Sequence, residues 1–202
     1  MTQKVIVALF TVVCLSLAVA AQENRSEISL QGGGVFNKGV TGNGTSYSAT
    51  DSGGVLGTYR YHLNHRMALE GAYGYNMNSQ KYSGASGAFR IQSGIHQFTG
   101  NLVLNLPSQR HSRLNPYLLV GGGALLFAPT SNQFNTISQA QSQTRGVFSY
   151  GVGFNYGIYK GLSLRAEYRG LVYSTPDFGF GALATNSVAH TAVPTVGLSL
   201  RF

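Results

Sequence analysis

The chain of 202 residues has a single cysteine and no tryptophan. Cys14 lies in an apolar run near the start, so no disulfide can staple the rest of the chain. Charge is scarce as well. Lys, Arg, Asp and Glu make up 10% of the residues, against roughly 25% in a soluble domain. After residue 20, no apolar run is long enough to cross a bilayer as a helix. The best, residues 117–128, is broken by three consecutive glycines. Basic clusters are missing too. Arg25, Lys38, Lys81, Arg90, Arg110, Arg113 and Arg145 stand singly, which argues against nucleic acid despite a net charge of +8.

In place of charge there is glycine, at 27 residues, with 12 Tyr and 11 Phe. Each interior helical Gly costs about 1 kcal/mol relative to Ala, so long helices are disfavoured. The aromatics argue against disorder. Mean hydropathy is nonetheless only +0.01, so the chain is not uniformly apolar either.

The first residues read as a Sec-type signal peptide over 1–20. Lys4 supplies the positive start, residues 5–20 the apolar stretch, and Ala18-Val19-Ala20 a small-residue cleavage pattern. No Leu and small residues stand directly before Cys14 to make a lipoprotein signal. Residues 21–202 then form one domain.

Within that domain apolar residues recur with period two, the strand signature. In residues 162–172 one face carries Leu162, Leu164, Ala166, Tyr168 and Val172, and the other Ser163, Arg165, Glu167 and Arg169. Eight such segments are expected: 27–36, 53–63, 67–75, 95–106, 116–127, 147–158, 162–173 and 190–202. Most match the roughly 9–11 residues with which a tilted strand spans a bilayer. Long polar connections at 37–52, 76–94, 128–146 and 174–189 alternate with shorter turns at 64–66, 107–115 and 159–161. The pattern predicts an all-β fold: an eight-stranded antiparallel up-and-down transmembrane β-barrel, with turns in the periplasm and loops outside. A ten-stranded barrel would need a hairpin hidden in residues 79–94. A soluble exported sandwich or lipocalin is the architectural alternative.

Two turns set registers that can be written down. A turn centred on His65 pairs Arg60 with Glu70 and Tyr61 with Leu69. A turn centred on Lys160 pairs Tyr156 with Leu164, Phe154 with Ala166 and Val152 with Tyr168. It also sets Gly153 opposite Glu167 and Gly151 opposite Arg169, so these glycines are expected to make room for long charged side chains. Arg60, Glu70, Arg165, Glu167, Arg169 and Arg201 share the polar face with Thr99, Asn101, Asn105, Asn155 and Ser199. On the lipid side an Arg would cost about 2–4 kcal/mol at mid-depth. The charges are therefore expected inside, as a paired plug rather than an ion path. Tyr59, Tyr61, Tyr73, Tyr75, Tyr117, Tyr150, Tyr156, Tyr168 and Tyr173 are expected in interfacial girdles.

The last segment ends Thr195-Val-Gly197-Leu-Ser-Leu200-Arg-Phe202. With polar Thr195, Gly197, Leu200 and terminal Phe202, it resembles the assembly signal of outer-membrane barrels. Together with residues 59–75 and 162–169, it makes the chain similar, over 27–202, to the small OmpA/OmpX-like β-barrel family. The resemblance implies residence in the Gram-negative cell outer membrane, among lipid and lipopolysaccharide. It also implies delivery by periplasmic chaperones and the barrel assembly machinery. No added periplasmic domain is expected, so peptidoglycan binding is not.

For function, the reading is a non-enzymatic monomeric barrel with a structural or surface-interaction role carried by its four long loops. The alternatives are a narrow porin-like pore for small solutes and, behind it, a lipid-acting membrane hydrolase. Catalysis needs a nucleophile beside a base. His62, His65, His96, His111 and His190 offer none in sequence, and the His-x-Ser pattern of small-barrel lipid A deacylases is missing. No metal or other cofactor is expected, since no short His/Asp/Glu spacing recurs.

Overall fold

The computed structural model describes residues 25–84, 87–107, 113–130, 141–180, 183 and 185–202. The proposed signal peptide with Cys14, the pair His111-Ser112 and most of the third long connection lie outside the described residues. Ten strands run in chain order: β1 Ser26–Lys38, β2 Val40–Gly42, β3 Thr45–Ala49, β4 Ser52–His62, β5 Met67–Gly84, β6 Gly87–Asn105, β7 Leu114–Pro129, β8 Gln143–Tyr159, β9 Leu162–Ser174 and β10 Val188–Arg201.

Eight of them form the wall, and all wall pairings are antiparallel. β1 pairs with β4 and β10, β5 with β4 and β6, and the ladder continues through β7, β8 and β9 back to β10. The eight wall strands therefore close on one another and leave no edge among them to aggregate. Closure also satisfies the backbone where no water can. At the seam the terminal residues hold each other. Ser26 N–H donates to Phe202 O at 3.0 Å, and Phe202 N–H donates to Ser26 O at 2.8 Å.

Both written registers are realised, with Arg60 opposite Glu70 and Gly153 opposite Glu167. The turns explain why. Asn64 Oδ1 accepts from the backbone N–H of Arg66 (2.8 Å) and Met67 (2.9 Å), closing the first as an Asx turn. Gly161 takes φ +76° in the other, where a side chain would be strained.

Residues 76–94 differ from expectation. Residues 76–84 and 87–94 are strand: β5 and β6 stay paired out to Gly84 opposite Gly87. The two extra strands lie elsewhere, as a β2–β3 hairpin inside the first long connection. That hairpin adds itself to the far end of β5, with Tyr47 opposite Tyr82. The polar composition of 76–94 suggested a loop, but Tyr82 and Ile91 within it are fully buried, and that burial sustains the strands.

Outward positions are apolar all round, including Leu30, Val55, Leu69, Phe98, Phe148 and Leu198. Inward positions divide by height. The short-turn half carries the polar and charged residues, and the long-loop half carries a buried apolar cluster that includes Ile95, Leu125, Phe127, Leu171 and Val193.

The glycine reading is corrected as well. The space beside Gly153 is occupied by Tyr117 of β7, not by Glu167. A Cβ there would lie 2.5 Å from the Tyr117 hydroxyl and 2.8 Å from Ala166 O. A Cβ at Gly151 would meet the Tyr168 carbonyl at 2.5 Å, so this glycine permits close backbone approach. Gly153→Val should therefore destabilise the barrel by about 1–3 kcal/mol through overpacking, measured as a lower urea midpoint. An unchanged midpoint would show that the Tyr117 site is not tight.

Candidate functional site

Three carboxylates and three guanidinium groups meet in the short-turn half. Glu27 comes from β1, Arg60 from β4, Glu70 from β5, and Arg165, Glu167 and Arg169 from β9. The alternation of β9 aims its three at the lumen at one residue's remove. Arg60, Arg165 and Arg169 are fully buried, and the three glutamates nearly so.

Glu70 is the hub. Its Oε2 accepts from Arg60 Nη2 at 2.7 Å and from Arg60 Nε at 3.2 Å. Its Oε1 accepts from Arg169 Nη2 at 2.8 Å and from Asn101 Nδ2 at 3.2 Å. Arg165 Nη1 lies 3.7 Å from the same carboxylate. Glu167 Oε1 accepts from Arg169 Nη2 at 2.6 Å, while its Oε2 accepts the Tyr117 hydroxyl proton at 2.6 Å. Glu27 pairs with Arg165 through Oε1 and with His62 Nε2 at 2.9 Å through Oε2. The Tyr117 ring lies 4.3 Å beneath the Arg60 guanidinium carbon, a cation–π contact.

The six formal charges sum to zero and none is left alone. That balance is what burial demands, because an ion removed from water must recover its solvation from partners. Thr99, Asn101, Ser149 and Thr58 fill in around the arginines: Arg169 Nη1 donates to Thr99 Oγ1 at 3.2 Å, and Arg165 Nη1 to Thr58 Oγ1 at 3.1 Å. A cluster of this kind has no free carboxylate for proton transfer and no open coordination position. It fills the lumen, as the width of an eight-stranded barrel allows.

Of the predicted lumen residues, Arg60, Glu70, Arg165, Glu167 and Arg169 come together here. Arg201 stands opposite Glu27 in the last register pair, with its side chain exposed where the wall ends. Two tyrosines leave the expected girdle: Tyr117 and Tyr173 point into the lumen and are buried. Glu27, His62 and Tyr117 are the participants that sequence reasoning missed. Glu27 and His62 sit at strand ends, where a charge looks like a solvated rim residue. Tyr117 follows Pro116 in a stretch apolar on both faces, so period two gives it no side.

The other end is roofed. Tyr47 and Tyr82 pack with tilted rings at 5.3 Å, and Phe178 meets Tyr82 and Phe127 edge-on at 6.5 and 6.2 Å. The Tyr82 hydroxyl donates to Pro176 O at 2.7 Å. Gln143 Nε2 donates to Asp177 Oδ1 at 2.7 Å, and Arg145 lies 3.1 Å from Oδ2. Burial alone would raise the Asp177 pKa. The Gln143 hydrogen bond, the Gly179 N–H and Arg145 outweigh it, so the carboxyl titrates below its ordinary value. Because the folded pKa is depressed, this contribution is present above the unfolded Asp pKa and is lost as pH falls through the folded value. Protease cleavage after Phe178 or Phe180 should accordingly rise at acid pH, and Asp177→Asn should show that rise already at neutral pH. Equal cleavage of both proteins at all pH values would contradict this.

At the seam, Thr195 Oγ1 donates to Gln31 Oε1 at 3.0 Å and Gly197 stands opposite Gln31. A Cβ on Gly197 would run into the Leu30 carbonyl. Leu200 points outward, and Phe202 closes the last backbone pair.

A family model described as outer membrane protein beta-barrel domain matches residues 5–202. Among solved structures, the outer membrane protein OprG of Pseudomonas aeruginosa superposes with a TM-score of 0.58 at 16% identity, covering 88% of this chain and 96% of that one. Neisserial surface protein A gives a TM-score of 0.59 at 14% identity, covering 87% and 97%. At these identities the likeness is one of fold. No curated protein compared with the chain matches it.

Proposed function

The chain belongs to the outer membrane protein beta-barrel domain family, and from that we propose a non-enzymatic barrel, closed to ions, that works through its long-loop surface. The short turns then face the periplasm and the long loops the exterior. One observation carries the reading: six buried, mutually paired charges occupy the periplasmic half of the lumen. Any ion crossing would have to break pairs that have no water to replace them.

The test is conductance of the refolded protein in a planar bilayer. The expected result is silence. Stable discrete openings of the wild-type protein would instead establish the narrow pore.

Maturation belongs to the same reading. Residues 1–20 are removed on export, and Thr195, Gly197, Leu200 and Phe202 are the groups read by the assembly machinery. At the outer end Lys81 stands opposite Arg90 on β5 and β6. Like charges directly opposite are unfavourable, and lipopolysaccharide phosphates would neutralise them. The barrel is proposed to act as a monomer, its closed wall leaving no wall strand to exchange.

A further inference from the structure

Sorting the charges by height separates the two ends of the barrel. Of the acidic residues described, Glu27, Glu70 and Glu167 are buried in the lumen. Asp51 and Asp177 lie at the long-loop end. Glu23 lies outside the described residues. The short-turn rim carries Arg25, Arg66, Arg113, Lys160 and Arg201, all exposed. Among the described residues no acidic side chain is exposed beside them. Arg25 and Arg201 flank the seam, together with the Phe202 carboxylate, so the surplus of positive charge rests on Arg66, Arg113 and Lys160. These stand singly in the sequence, and closure of the wall gathers them at one level.

The three occupy the three short connections and are therefore spread around the barrel. Backbone contacts hold their places. Asn105 N–H donates to Arg66 O at 2.8 Å, and Gly157 N–H donates to Arg113 O at 2.9 Å. Gly161 shapes the turn next to Lys160. Beside each cation the outward apolar surface comes to its end. Leu63 and Leu69 flank Arg66, Leu114 follows Arg113, and Ile158 and Tyr159 precede Lys160. Tyr159 is 75% exposed, an amphipathic ring suited to the headgroup level of a bilayer. At about 3.3 Å per residue, a cation one to three residues past an apolar side chain stands within about 10 Å of the hydrocarbon. Its flexible stem lies along apolar surface while the charge reaches the phosphates.

We propose that the short-turn rim binds anionic phospholipid, with Arg66, Arg113 and Lys160 selecting net negative headgroups over zwitterionic ones. Cell-wall carboxylates carry the same sign of charge, but the apolar belt adjoining each cation favours a lipid. The orientation proposed above makes this the periplasmic leaflet, and the lipid selection itself does not depend on that orientation or on whether the lumen conducts. Lys81 and Arg90 supply the contrast. Lys81 lies four residues beyond Met77, the last exposed large apolar side chain of β5, on a hairpin that stands clear of the bilayer.

The test places the refolded protein in phosphatidylcholine bilayers with trace phosphatidylglycerol or phosphatidylcholine, each spin-labelled deep in the acyl chain. Electron paramagnetic resonance reads the fraction of label held against the protein. A basic side chain near a charged lipid surface favours it about fivefold. Diluted by the lipids that touch no cation, the wild-type preference for phosphatidylglycerol should be about twofold at low salt. It should fall to about one in 1 M salt, where the screening length is about 3 Å. The variant R66Q/R113Q/K160Q should show no preference, and K81Q/R90Q should keep that of wild type, with folding of both verified by unheated gel mobility. Should the triple variant fail to fold, the salt response of wild type decides. No preference in wild type, one that survives 1 M salt or the triple variant, or an equal loss in K81Q/R90Q overturns the proposal. So does sedimentation with purified cell-wall sacculi that the triple variant loses, if wild type shows no lipid preference; the rim would then face the cell wall.

Discussion

Glu70→Ala should lower the free energy of unfolding by about 3–5 kcal/mol, the cost of leaving buried charge uncompensated. The number is large because Glu70 is shared. Its removal takes both carboxylate hydrogen bonds from Arg60, leaving it only Glu167 at 3.9 Å, and removes one of the three carboxylate hydrogen bonds of Arg169. Urea titration of the refolded barrel, read by unheated gel mobility, measures it. The double variant Arg60→Met with Glu70→Leu supplies the contrast. It keeps the lumen neutral, since Arg165 retains Glu27 and Arg169 retains Glu167. Replacing a buried pair by apolar groups of similar size is often neutral or stabilising, so the double variant should recover most of the loss. If the single and double variants were equally destabilised, packing and not charge balance would be what the cluster supplies.

Phe202→Ala should leave most of the chain outside the outer membrane in cells, yet refold from urea nearly as well as wild type. The two halves of this expectation separate recognition from stability. The terminal backbone hydrogen bonds with Ser26 are kept by alanine, and a rim side chain contributes within about 0.5 kcal/mol. Folded-band intensity in isolated outer membranes reads the first half, and the urea midpoint reads the second. Wild-type levels in the membrane would remove Phe202 from the proposed assembly signal. A matching loss of stability in vitro would make its role structural.

Much of the fold was legible in the residues. Alternation in segments such as 162–172 assigns each side chain to a face, and the three-residue turns at 64–66 and 159–161 leave only one register consistent with it. Arg60 opposite Glu70 could thus be written down without coordinates. The plug was partly legible for the same reason: an Arg in phase with polar neighbours, on a strand whose other face is apolar, has nowhere else to go. The far ends of β5 and β6 were not legible. Their polar stretches look like loop until the β2–β3 hairpin and Phe178 are seen to bury Tyr82. The apolar cluster of the upper lumen was hidden by its own composition. Where both faces of a strand are apolar, as in residues 117–128, period two carries no information about which face is inside.

The sequence by itself determined two of the wall's registers, the lipid-facing surface and the identity of five lumenal charges, and it pointed to eight strands, because period two and turn length are local properties. Only the tertiary structure decided the rest. It joined Glu27 and His62 to the cluster, placed Tyr117 beside Gly153, left the Arg201 side chain exposed at the rim, and set the charged cluster in the lower half of the lumen and an apolar cluster in the upper half. Those outcomes depend on which residues of non-neighbouring strands reach the same height once the sheet has tilted and closed, a relation that spacing along a single strand does not contain.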